Sequence, residues 1–111
     1  MVTDHRHGSS QSVRDRAIRS ASINFTQATA TPVAAPGVGK KIILLGVSVS
    51  DTASIANYVS FSGGTGTILV AMGPGGDAMW EGEYPLSENT ALSLTASDTL
   101  VGSLQYVVVP A

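Results

Sequence analysis

The sequence has no cysteine, and after Lys41 it has no lysine, arginine or histidine. The first absence excludes a disulfide framework and a zinc–thiolate site, so stability must come from burial or association. The second removes from residues 42–111 the general base of a serine triad, a Schiff-base amine and any cation that could stabilise a phosphoryl or oxyanion charge. That inventory argues against an enzyme. Charged residues make up only 13% of the chain, too few to solubilise a large free surface, which points to a surface partly covered by partners. No stretch approaches the roughly 18 apolar residues needed to span a bilayer. The opening MVTDHRHGSSQSVRDR has no apolar segment of the kind a secretory signal carries. The expectation is a soluble chain with no membrane partner.

What is present is apolar and short. Apolar residues reach 43% and mean hydropathy is +0.23, sufficient for a packed interior, while 111 residues normally build one core at most. Charge is divided along the chain. Residues 1–41 carry Arg6, Arg14, Arg16, Arg19, Lys40 and Lys41 against Asp4 and Asp15, a net +4. Residues 42–111 carry Asp51, Asp77, Glu81, Glu83, Glu88 and Asp98 with no base, a net −6. The two regions should attract each other, within a chain or between chains, over the 8–10 Å or so that salt permits. The N-terminal region is too mixed in sign for a nucleic-acid tail, so no nucleic acid is expected as a partner.

Patterning divides the chain into three parts: a basic polar arm over 1–21, a short strand and Pro/Gly linker over 22–41, and a β body over 42–111. In the linker, Ile23 and Phe25 alternate with Asn24 and Thr26 before Pro32, Pro36, Gly37 and Gly39 interrupt. The body opens on KKIILLGVSVSD, with Leu45, Val47 and Val49 expected on one face and Gly46, Ser48 and Ser50 on the other. Further short runs follow around Tyr58–Phe61, in TGTILVAMG, in DAMWEGEYPL and in TALSLTAS. The last, TLVGSLQYVVVP, sets Leu104, Tyr106 and Val108 against Gln105, Val107 and Val109. Six or seven strands bounded by Gly, Ser, Asp and Pro, with no helical period in the body, predict an all-β fold. It is a small antiparallel β-sandwich, jelly-roll-like, with an extended N-terminal arm.

Candidate chemistry is sparse. Glu81 and Glu83, two apart on a strand, share a face at roughly 6–7 Å, a spacing that overlaps a glycosidase pair but more simply describes a solvated strand face. Asp51, Asp77, Glu81, Glu83 and Asp98 are hard oxygen ligands without the spacing of a calcium loop, and His5 and His7 stand alone in the arm, so no metal is expected. GPGGDAMW and SFSGGTGT read as turns, not phosphate cradles. Trp80 and Tyr84 share one strand face, where they form either core or a sugar-stacking surface.

Two stretches, GKKIILLGVSVSDTASIANYVSF and GPGGDAMWEGEYPLSENTALSLTASDTLVGSLQYVVV, resemble the small jelly-roll proteins that decorate the capsids of tailed bacteriophages or form their head fibres. The resemblance spans residues 22–110. It implies a cement protein on the outer capsid surface of a virion, a homo-oligomer, specifically a trimer, whose arms bind the major capsid protein. Arg6, Arg14, Arg16 and Arg19 would be the contact residues, and no cofactor would be needed. The alternative is a receptor- or carbohydrate-binding module of a phage fibre, using Trp80 and Tyr84 beside Glu81 and Glu83.

Overall fold

The apolar run that opens the body forms the longest strand of the protein. The computed structural model describes residues 17–25, 29–64 and 66–111. Among them are eight strands: β1 (Arg19–Phe25), β2 (Thr29–Val33), β3 (Lys40–Asp51), β4 (Asn57–Gly64), β5 (Gly66–Met72), β6 (Asp77–Pro85), β7 (Leu92–Ala96) and β8 (Leu100–Pro110). There is no helix among the described residues. Two antiparallel four-stranded sheets result. The first has the order β1-β8-β3-β6 and the second β2-β7-β4-β5. The chain changes sheet at every connection except the β4–β5 hairpin, which is the double-wound path of a jelly roll.

The two sheets enclose one main core. The first contributes Ile23, Ile42, Leu44, Val47, Val49, Leu100 and Leu104, and the second contributes Val59, Phe61, Val70, Leu92 and Leu94, all buried. Each such side chain contributes about 1.5–3 kcal/mol by leaving water. The interleaved polar residues of β4, β5 and β7, such as Ser62, Thr67 and Thr95, face outward.

β3 departs from the simple alternation. Ile42 and Leu44 face the core, and so do Val47 and Val49, because the pairing register shifts between Leu44 and Gly46 against both β6 and β8. An extra residue in a β-strand reverses the face of everything beyond it. Leu45, expected in phase with Val47, is therefore turned away and joins Ile43, Val107 and Val109 in a second, smaller buried cluster. On β8 the alternation is undisturbed: Leu104 and the half-buried Tyr106 face the main core, and Val107 and Val109 lie on the opposite face, buried with Ile43 and Leu45.

The segment read as arm and linker supplies an outer strand to each sheet. β1 pairs with β8 from Arg19 opposite Tyr106 to Phe25 opposite Leu100, and β2 pairs with β7. Ala21 and Ile23 face inward while Ser20, Ser22 and Asn24 face out. The TATPV strand, embedded in a Pro-rich stretch, has no apolar alternation strong enough to announce itself.

Candidate functional site

The antiparallel pairing sets two ends to the sandwich. At one end lie the starts of β1 and β3, the ends of β6 and β8, residues 34–39 and residues 86–91. At the other lie residues 52–56, 73–76 and 97–99. The described cations, Arg19, Lys40 and Lys41, are all at the first end, accompanied by Glu88. Asp51, Asp77 and Asp98 are at the second. Glu81 and Glu83 lie between the two ends on β6, Glu81 opposite Gly46 and Glu83 next to Tyr84, so the cations share one end and three of the six carboxylates of residues 42–111 share the other. Arg6, Arg14 and Arg16 lie outside the described residues, and the segment that carries them joins the body at the cationic end. Arg19 is exposed at the first position of β1.

Each end is tied by its own hydrogen bonds. At the anionic end the buried Asp51 carboxylate accepts from the Ala53 N–H at 2.9 Å, from Asn57 Nδ2 at 3.3 Å and from the Gly75 N–H at 3.3 Å. Buried Asn57 also donates to the Thr99 carbonyl at 3.0 Å, and its Oδ1 accepts from Ser97 Oγ at 2.7 Å and the Asp98 N–H at 3.0 Å. Three loops are thereby held together by groups whose burial would be costly if left unpaired. Asp51 is thus occupied by N–H donors and has the bonds of a loop anchor. At the cationic end Asn89, in a left-handed backbone conformation (φ 49°), accepts from the Gly37 N–H through Oδ1 and donates its N–H to the Lys40 carbonyl. Glu88 Oε2 accepts from the Gly39 N–H at 2.7 Å.

The four residues singled out on β6 separate onto two faces. Tyr84 is buried in the core, its hydroxyl donating to the Gly66 carbonyl at 2.7 Å and accepting from the Gly64 N–H at 3.2 Å. Trp80 is half-buried and packs against the same core, with its indole beside Gly82, where an added Cβ would come within 3.0 Å of the ring. Glu81 and Glu83 are exposed on the opposite face. The two aromatics and the two carboxylates therefore do not converge on one surface. Glu81 does border a shallow depression of about 170 Å³ over the β3 bulge, with Ser48, Met79, Ser103 and Gln105. Among the described residues no three His, Cys, Asp or Glu side chains cluster as a metal site.

Asn57, which has the most hydrogen-bonding partners among these residues, carries no mark in the sequence. Asp51 has a local signal, since Asp at a strand end accepting from the residue two positions on is an Asx-turn. Asn57 has none, because Ser97, Asp98 and Thr99 are about forty residues away in sequence.

No protein-family model matches the chain, and no curated protein does. Among solved structures it is similar to a chain from the disulfide-linked pili of Bacillus endospore appendages, at 15% identity and a TM-score of 0.47 over 83% of this chain and 84% of that one. A likeness of that size assigns no function.

Proposed function

We propose that this protein is a structural component of a phage virion that decorates the capsid and stabilises it by binding the major capsid protein lattice. The observation that carries the reading is the grouping of the described cations, Arg19, Lys40 and Lys41, at the end where the arginine-bearing N-terminal segment joins the body. A body charged in this way approaches an acidic, repeating surface with one orientation, and many weak contacts on such a lattice add through effective concentration. The loops at both ends are held by hydrogen bonds, which suits a rigid module more than an induced-fit enzyme.

The test is co-sedimentation with capsids at low and high salt, using the full chain, a form lacking residues 1–16, and Lys40→Glu/Lys41→Glu. A truncation ending at residue 16 leaves β1 whole, whereas one reaching residue 20 removes its first two residues. The full chain should pellet at low salt and be weakened at high salt. Both altered forms should lose most binding while remaining folded. If both saturate capsids as the full chain does, the proposed anchor is wrong.

A further inference from the structure

A sandwich of two open sheets has four edge strands, here β1 and β6 in the first sheet and β2 and β5 in the second. An edge presents unpaired backbone groups to any passing strand, and folded proteins ordinarily guard edges with charge, proline or a bulge. Three of these edges are guarded. β6 carries Asp77, Glu81, Glu83 and Pro85, β2 contains Pro32 and an irregular register between Ala30 and Val33, and β1 opens on Arg19.

β5 has neither charge nor proline, and the one irregularity of its pairing lies at the hairpin end, between Gly66 and Ile68. Its sequence is GTILVAM, and its pairing with β4 is regular from Ile68 to Met72. The neutrality extends well beyond the strand, since residues 52–76 contain no charged residue at all. On its outward face Leu69 is 64% exposed, and Tyr58 on neighbouring β4 is 46% exposed. Apolar, β-branched and uncharged segments of this kind pair with other strands when they are exposed at an edge.

We propose that β5 is the docking edge for a second copy of this chain, the two β5 strands pairing antiparallel so that the second sheet of one protomer continues into that of its partner. The choice of occupant follows from charge and shape. A neutral apolar strand offers nothing to a charged partner, and among the described edges of this protein the one edge that is neutral, proline-free and regularly paired over Ile68–Met72 is β5, so its match is the same β5 of another copy. Antiparallel self-pairing is twofold and closes on itself, so the product is a dimer and not a fibre. In the register centred on Leu69, that side chain meets its symmetry mate across the axis. This inference does not depend on the capsid reading and differs from the trimer that the resemblance implies.

Sedimentation equilibrium of the full chain over a wide concentration range tests it. The expected result is a monomer–dimer equilibrium. Leu69→Lys opposes two ammonium groups at directly facing positions and removes apolar contact, and it should raise the dissociation constant by about tenfold or more. Met79→Lys, on the equally exposed but guarded β6, should leave the constant unchanged. Near-UV circular dichroism of each variant separates dissociation from misfolding, and Thr67→Lys on the same outward face stands in should Leu69→Lys fail to fold. Protection of β5 amides from hydrogen exchange should rise with protein concentration. A wild-type chain that stays monomeric at millimolar concentration, a trimer, or a dimer indifferent to both β5 variants would overturn the proposal.

Discussion

Asn57 joins three loops through one carboxamide. It donates to Asp51 and to the Thr99 carbonyl and accepts from Ser97 and Asp98, and both Asn57 and Asp51 are buried beneath the loops. Replacing it by leucine keeps comparable bulk and removes one hydrogen bond from each of those partners, so Asn57→Leu should destabilise the fold by roughly 1–3 kcal/mol or more, read as a lowered urea midpoint. The effect belongs to stability alone, and the capsid binding proposed for the cationic end should persist in whatever fraction remains folded. This residue also shows where sequence reading stops. Its partners come from loops distant in the chain, and a lone Asn before a strand reads only as a turn residue. Tyr84 and Trp80 were legible as far as their shared strand face; which face it was depended on how β6 lies against β3, and that is decided by the bulge.

Among elements, β3 and β8 were the most legible and the most instructive. β3 spans Lys40–Asp51, the KKIILLGVSVSD run, because a β-branched, aliphatic segment bounded by Gly and Asp has few alternatives. Its internal phase was not legible. A six-residue apolar stretch, IILLGV, satisfies either face, and only the shifted register opposite Gly46 reveals that Leu45 and Val47 point apart. β2 was hidden for a different reason: five residues containing Pro32 have too little pattern to distinguish a strand from an extended linker. β8 depends on an exceptional glycine. A Cβ on Gly102 would meet the Ser48 carbonyl oxygen and lie 2.8 Å from Val49 Cα, both backbone atoms of the adjacent β3 that cannot swing aside. Gly102→Ala should therefore cost about 1–3 kcal/mol by forcing the central strands apart, measured as a fall in thermal midpoint against Ala71→Gly, an exposed control.

At the scale of the whole molecule the division of charge was fully legible in the sequence, but its direction in space was not. Composition gives +4 and −6 for the two regions; it takes the antiparallel order of the strands to place Lys40, Lys41 and Arg19 at one end and Asp77 and Asp98 at the other. The all-β sandwich was likewise readable from turn spacing, while the pairing order β1-β8-β3-β6 joins strands far apart in sequence and leaves no local trace. A proteolysis experiment follows from the same layout. Trypsin has no site in residues 42–111, and Arg19, Lys40 and Lys41 all lie in paired strands. Digestion of the native protein should accordingly stop at a product running from Ala17 to Ala111, identified by its mass, with cleavage at Lys40 or Lys41 appearing only after unfolding.

The same scarcity of lysine makes this a molecule with a built-in handle. Within residues 17–111 the only side-chain amines are on Lys40 and Lys41, neighbours at one end of β3. Any amine-directed chemistry applied to that body, whether a dye, a cross-linker or an activated glass surface, attaches at that end, and a layer coupled through it stands with residues 52–56, 73–76 and 97–99 uppermost in every copy.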